Sequence, residues 1–428
     1  MASGSILQKN SDALRPGVNL SQISFTVSDQ PKPGLDSSRA WVVVFAGFVG
    51  AFVTFGISYC FGVFLKPIAL EFHVSHAAVS ALFSTITAIS FFAAPFTGKL
   101  ADRYGPRPVV AIGALLLGFG MICAAHVHIF ALLFLTYGLG LGGGVACTYI
   151  PSVSAVGEWF KTHRDIALGL TISGIGCGTF IAAPLSALLI ERHGWRTTLE
   201  IFGSGGAALL LLCAALLFCP PIIGQKNRVN TVAKVRTRAF GLQYISLFFS
   251  GIAIYAAFVF LPAYAGDIGA SRVAGAGLVG YIGASSVVGR LGLNALAPRF
   301  GLTRMYQSSY LILLISFGVW LAADSYTALV IFALLMGVGY GGIAAMSPAV
   351  AAYAFGVEGL GELLGILFTG FGAACLVGPP LAGILVDHFH DYRFPVFVGA
   401  AASVFALIFV ILLDHKSTTA GPMEPLGK

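Results

Sequence analysis

The sequence has few charged residues and lacks the patterns that mark most soluble enzymes. Charged residues make up 10% of its 428 positions, hydrophobic residues make up 57%, and mean hydropathy is +0.90. This balance lies well outside that of a soluble globular domain. The sequence also has no nucleophile elbow, phosphate-binding loop or metal-binding cluster of His and Cys at credible spacing. An enzyme, a resident metal and a cofactor are therefore not predicted.

Three further absences narrow the class of protein. Residues 1–40 are polar and lack the basic-then-apolar order of a cleavable signal, so we expect a disordered tail. The seven cysteines all lie in or at the end of apolar segments, which argues against a disulfide framework. The apolar runs lack the alternation of barrel strands, and helices are the other structure that spans a bilayer. The sequence therefore predicts an all-α membrane protein.

The apolar residues are collected into long runs with few charges. Each run approaches or exceeds the roughly 20 residues that a helix needs to cross the hydrocarbon core. The stretch 108–157 has no Lys, Arg, Asp or Glu and is too long for one crossing, so it predicts two helices. The twelve predicted crossings are 41–65, 77–98, 108–126, 129–156, 167–190, 199–219, 240–265, 273–297, 305–323, 327–349, 362–386 and 394–413.

The chain also contains a long internal repeat. The segment 100–105, Leu-Ala-Asp-Arg-Tyr-Gly, recurs 196 positions later at 296–301 as Leu-Ala-Pro-Arg-Phe-Gly. A repeat of this length indicates two related halves and not a solenoid or propeller. We therefore predict two pseudo-symmetric six-helix bundles. The predicted divisions are a tail at 1–40, a first bundle at 41–219, a basic loop at 220–239, a second bundle at 240–413 and a tail at 414–428.

The basic residues predict an orientation in the bilayer. If both termini are cytoplasmic, 18 of the 24 Lys and Arg residues lie on the inner side, five lie on the outer side, and Arg290 lies within a helix. This is the positive-inside bias. The net charge of +7 then reports orientation and not nucleic-acid binding, because the basic residues are spread over loops and tails.

With twelve crossings and a motif between helices two and three, the chain resembles the major facilitator superfamily of secondary transporters. The motif occupies 98–107 and reads Gly-Lys-Leu-Ala-Asp-Arg-Tyr-Gly-Pro-Arg. The resemblance implies that its acid and arginines tie the two halves together on the inner side. We assign this conformational role to Gly98, Asp102, Arg103, Gly105 and Arg107. In the second copy Pro298 replaces the acid, so such a charge network is lopsided.

Within this superfamily, three stretches are similar to the monocarboxylate porter branch. They are the first helix through 58–67, the segment 159–170 that leads into the fifth helix, and the eighth helix with Arg290. The Asp-Gly-Gly-Trp opening typical of the branch is replaced by Ser38-Arg39-Ala40-Trp41. The resemblance implies that Arg290 binds the substrate carboxylate.

Arg290 is also unusual on physical grounds. It follows seventeen uncharged residues and precedes eight more, and burying an arginine near a helix centre costs on the order of 2.5–3.5 kcal/mol. Such a residue usually faces a cavity or a partner, although it can also reach the headgroups or pair with a loop acid. Residues four apart share a helix face, so Ser286 and Asn294 are predicted to accompany it.

Symmetry adds two tyrosines to the predicted substrate contacts. Tyr59 and Tyr255 are 196 positions apart on the first helix of each half, while Tyr149 and Tyr340 are on the fourth. Packing is the alternative role for such residues. The branch often has an Asp four residues before its arginine, where this chain has Ser286, so the coupling ion stays open.

The sequence therefore predicts a secondary transporter of a small organic anion, with a proton as an open co-substrate, that works by alternating access. A lactate- or pyruvate-like monocarboxylate is favoured, because a single embedded cation suits one carboxylate. The plasma membrane is the expected location, the bilayer is the expected environment, and the sequence leaves open whether an accessory protein takes part. Dicarboxylate exchange, sugar or drug transport, a nontransporting sensor and a membrane enzyme remain as alternatives.

Overall fold

The computed structural model describes residues 35–160, 162–218, 231–356 and 360–414. The predicted tail at 1–40 falls mainly outside these ranges, as do most of the basic loop at 220–239 and the tail at 414–428. Within the described ranges every regular element is a helix. The all-α prediction is therefore confirmed for this part of the chain.

In the part of the chain that the structure describes, twelve helices account for the twelve predicted crossings, and a short helix, Thr231–Val235, precedes the seventh. Two of these helices, α5 and α6, form one continuous element that is bent at Gly194, where φ is +81°. The helices are α1 (Ser38–Phe72), α2 (His76–Tyr104), α3 (Pro106–His126), α4 (Phe130–Trp159), α5 (164–193), α6 (195–216), α7 (Arg238–Asp267), α8 (Arg272–Phe300), α9 (Leu302–Leu321), α10 (Tyr326–Phe355), α11 (Leu360–Phe389) and α12 (Arg393–Asp414).

The lengths and compositions of all these helices except α9 meet the requirements for crossing a bilayer. Ten spans in the described ranges are long and apolar enough to cross a membrane, and one of them, Ile166–Leu216, has 51 residues. A helix of that length is about 75 Å long, so with its bend it accounts for both α5 and α6. Large apolar side chains on the outside, such as Phe96 and Phe119, are 72% and 74% exposed, as expected where the solvent is lipid.

Two faces of the helical bundle are used below as reference points. The terminal face is where α1 begins and α12 ends, and the far face is where α1 ends and α2 begins. Three helices that start at the far face have a serine at the N-cap. Ser75, Ser271 and Ser325 each accept a hydrogen bond from the backbone N–H three residues later, which satisfies a donor that the first helical turn leaves unpaired.

The two six-helix bundles meet along two helix pairs. In the first pair α2 packs against α11, and in the second α5 packs against α8. Glycines allow close approach in the second pair. A Cβ atom added to Gly283 of α8 would lie 2.7 Å from the carbonyl oxygen of Gly176 in α5. Small residues at such crossings let helices in a membrane pack without a hydrophobic driving force.

The structure corrects the predicted boundary of α2. The sequence predicted a crossing that ends near residue 98 and a loop that carries the motif, but α2 continues through Tyr104. The chain turns at Gly105, where φ is +86°, a region that favours glycine because it has no Cβ atom. Pro106 then starts α3 as its first residue, where its missing N–H costs no hydrogen bond.

Candidate functional site

Arg290 lies at an irregular turn in the middle of α8. Residues Gly289–Leu293 form a π-helical turn between two α-helical parts of α8. Gly289 permits close contact with α10, since a Cβ atom there would be 2.2 Å from the carbonyl oxygen of Val338. Such π-helical turns in α-helices often occur at functional sites. The local backbone therefore sets Arg290 apart from the rest of the helix.

The Arg290 side chain is buried and faces the junction between the two halves. Only 3% of the residue is exposed. Nη1 donates a hydrogen bond of 3.2 Å to the carbonyl oxygen of Ile172 in α5, and Cζ lies 5.4 Å from the centre of the Tyr340 ring of α10. Arg290 therefore does not reach out among lipid headgroups, which was one alternative for this residue.

Two of the three guanidinium nitrogens of Arg290 lack an acceptor. Nε and Nη2 are buried, and no described residue accepts a hydrogen bond from either atom. No carboxylate among the described residues forms an ion pair with Arg290. The N–H groups of Nε and Nη2 point in the same direction along one edge of the guanidinium plane. This edge matches the two oxygens of a carboxylate.

Aromatic side chains from both halves surround this charge. The hydroxyl groups of Tyr59 in α1 and Tyr340 in α10 are 3.3 Å apart, and Tyr59 stacks on Phe258 with ring centres separated by 4.4 Å. Tyr149 of α4 joins the same cluster through Phe55, whose ring centre lies 4.9 Å from that of Tyr149 and 5.4 Å from that of Tyr59. The site therefore combines one cation with neutral hydroxyl groups in an apolar surrounding.

The other residues predicted to bind the substrate are placed less uniformly. Tyr255 is buried, and its ring centre lies 6.2 Å from those of Phe83 and Phe371. Ser286 is fully buried, and its hydroxyl donates to the carbonyl oxygen of Gly283 in its own helix. Asn294 is exposed and begins the last α-helical part of α8, beyond the π-helical turn. The π-helical turn rotates the residues that follow it around the helix axis. Ser286, Arg290 and Asn294 therefore do not form the regular stripe that α-helical spacing predicts. The roles of Tyr255, Ser286 and Asn294 remain predictions.

The sequence alone does not assign Tyr149 or Tyr340 to the site. Both are polar residues on the fourth helix of a half, but nothing in the sequence places Tyr340 beside Arg290 or Tyr149 in the same aromatic cluster. The signal that could have selected them is symmetry. Arg290 lies near the junction, and equivalent helices of the two halves both contribute residues there.

The five motif residues lie at the terminal face. Arg107 holds the end of α6, since Nε donates to the carbonyl oxygen of Leu217 at 2.8 Å and Nη2 donates to that of Ala215 at 3.0 Å. Arg103 lies over the ring of Tyr104 at 5.2 Å, and a Cβ atom on Gly98 would contact Ile150 at 3.4 Å. These contacts hold neighbouring helices together within the first half. A role for the motif in conformational change stays a prediction.

Comparisons with known proteins agree with this architecture. The sequence profile of the Major Facilitator Superfamily matches residues 47–321 and 244–425. Monocarboxylate transporter 4 of Mus musculus is 27% identical over 408 residues, covering 89% of this chain and 84% of the relative. Monocarboxylate transporter 3 of Rattus norvegicus is 28% identical over 399 residues, covering 89% and 81% respectively. Monocarboxylate transporter 13 of Rattus norvegicus is 34% identical over 182 residues, or 42% of each chain.

Two solved structures have the same fold. A bacterial homologue of the human lysosomal transporter Spinster, in an inward-facing and occupied conformation, has a TM-score of 0.70 at 16% identity, covering 90% of this chain and 97% of that one. A nucleoside transporter has a TM-score of 0.69 at 14% identity, covering 87% and 100%. At these identities the likeness concerns the fold alone.

Proposed function

This chain belongs to the major facilitator superfamily, and on that premise we propose that it moves small monocarboxylates across a membrane by alternating access. The chain is a multi-pass membrane transporter and not an enzyme. The curated relatives above carry the name monocarboxylate transporter, and this supports the same class of cargo. Lactate and pyruvate represent that class.

The edge formed by Nε and Nη2 of Arg290 is the observation that carries this proposal. Burying a hydrogen-bond donor without an acceptor costs about 1–3 kcal/mol, and more for a charged group. A substrate carboxylate supplies two acceptors and a negative charge to the same edge. One guanidinium neutralises one carboxylate, so a monoanion suits the site better than a dianion.

The position of the site supports alternating access. Arg290 of the second half contacts Ile172 of the first, and Tyr340 of the second contacts Tyr59 of the first. A substrate bound here touches both halves, so rocking one half against the other exposes it to each side in turn. The positive-inside bias supports a cytoplasmic terminal face, and the plasma membrane is the proposed location.

Uptake into proteoliposomes tests the proposal. We expect wild-type protein to take up radiolabelled lactate, with inhibition by pyruvate and not by glucose. Arg290→Lys keeps the charge but loses the paired donors, so uptake should fall about 10- to 100-fold. Arg304→Lys, an exposed arginine near the start of α9, is the matched control and should match wild type. Equal uptake by wild type and Arg290→Lys would contradict the proposal.

A further inference from the structure

Two pairs of charged or titratable side chains join the two halves at the far face. Lys66 of α1 and Asp267 of α7 are 2.8 Å apart, and His76 of α2 and Asp387 of α11 are also 2.8 Å apart. We call these four residues the far-face latch. In the first pair the side chains are 42% and 50% exposed, so the attraction is weakened by solvent. The second pair is more sheltered, at 30% and 26% exposed.

Asp387 is held by donors from the other half of the molecule. Its Oδ1 accepts the backbone N–H of His76 at 3.0 Å, and its Oδ2 accepts that of Ala77 at 2.9 Å. These groups start α2, where the helix dipole favours an anion. The backbones touch here as well, because a Cβ atom on Gly383 would lie 2.5 Å from Cα of Ala77. The carboxylate of Asp387, in the second half, therefore caps α2 of the first half. This contact exists only while the two halves touch at the far face, which we call the closed state of that face.

The imidazole of His76 also takes part in the contact with Asp387. Its Nδ1 lies 2.8 Å from Oδ1 of Asp387, and its ring centre is 6.2 Å from that of Tyr392. Burial raises the pKa of Tyr392 to about 12, so this phenol is neutral in the physiological range. A cavity of about 550 Å³ lies beside the pair. The ionisable groups that line it are Lys66, His76, Asp267, Asp387, His390 and Tyr392.

We propose that the far-face latch is an acid-stabilised gate, in which protonation of His76 strengthens its bond to Asp387 and holds the far face closed. The proposal rests on the alternating-access function proposed above. A neutral imidazole can donate one hydrogen bond to Asp387, whereas the protonated ring adds Coulomb attraction to the same contact. Histidine side chains change charge between about pH 5 and 8. The added attraction is therefore present at acidic pH and lost as the pH rises, which favours opening.

Distances between two spin labels at the far face test the gate directly. Leu70 at the end of α1 is 73% exposed, and Ile268, which follows α7, is 38% exposed. Both are changed to Cys for labelling, in a variant whose seven native cysteines are replaced. In lipid nanodiscs we expect the ratio of long to short distances to be about tenfold greater at pH 8 than at pH 5.5.

Three variants complete the experiment. His76→Gln keeps a hydrogen-bonding side chain without the titration, so the ratio should no longer depend on pH. Asp387→Asn should populate the long distance at both pH values, whereas Asp324→Asn, an exposed far-face acid, should behave as wild type. A pH-independent ratio in wild type, or an unchanged pH response in His76→Gln, would overturn the gate, even if Asp387→Asn does not fold. Because no transported solute is present, these results are independent of the lactate uptake assay.

Discussion

Replacing Arg290 by methionine distinguishes two roles for this residue. Arg290 either binds the substrate or stabilises the folded protein. A buried arginine with satisfied partners contributes to folding, and breaking a buried ion pair costs about 3–5 kcal/mol. The guanidinium of Arg290 has two nitrogens without acceptors, so its removal relieves an existing cost. Methionine fills a similar volume and adapts to irregular spaces. We therefore expect a different response from that of a structural arginine.

The size of the change follows from the contacts of Arg290. Relieving two unsatisfied donors stabilises the variant by about 2–6 kcal/mol. Losing the charge-assisted bond to Ile172 costs about 1.5–3 kcal/mol, and losing the contact with the Tyr340 ring costs about 0.5–2 kcal/mol. The two sums nearly cancel, so Arg290→Met should be as stable as wild type or slightly more stable, while lactate uptake is lost.

The assay is thermal unfolding of purified protein, with and without lactate. Lactate at 100 times its Kd should stabilise wild type by about 2.7 kcal/mol and leave Arg290→Met unchanged. Arg107→Met is the matched control, because the same two atoms, Nε and Nη2, both have carbonyl acceptors in Arg107. This control should lose about 1–3 kcal/mol. A loss of 3–5 kcal/mol in Arg290→Met would show that Arg290 is a paired structural residue, and the reasoning would fail.

Two further predictions concern single contacts. Tyr59→Phe and Tyr340→Phe each remove the same hydrogen bond of about 0.5–1.5 kcal/mol, so the double variant should unfold at a temperature close to that of either single variant. Full additivity would mean that the two hydroxyl groups act separately. Gly105→Ala should cost about 1–2 kcal/mol because φ is +86°, whereas Gly241→Ala, in open space within a helix, should be neutral or stabilising. Equal thermal stability of the two glycine variants would refute the strain at Gly105.

Long apolar segments were readable from the sequence because a bilayer imposes a length and a composition on every helix that crosses it. The predicted segments and the observed helices differ mainly at their ends. For example, α2 runs to Tyr104 and not to residue 98, because the motif residues continue the helix until Gly105 turns the chain. Amino-acid composition predicts which residues lie within the bilayer. It does not predict where a helix ends, because the helix continues until a residue such as Gly105 turns the backbone.

Arg290 was also readable from the sequence, because a charge within an apolar run has an energetic cost wherever the helix lies. Its surroundings were not readable. The hydroxyl pair of Tyr59 and Tyr340 joins residues 281 positions apart, and no local pattern relates them. The π-helical turn at Gly289–Leu293 likewise depends on the contact between α8 and α10. Helix periodicity alone predicted a regular stripe through Asn294, which the structure places in an exposed segment.

By itself, the sequence determined the solvent, the number of crossings, the two related halves and the presence of one embedded cation. These properties depend on composition and spacing, which each segment carries independently of its neighbours. Tertiary structure alone decided which edge of Arg290 lacks acceptors, which tyrosines surround it and how Asp387 meets the start of α2. Those properties depend on contacts between helices of different halves, and such contacts exist only after the two bundles have packed together.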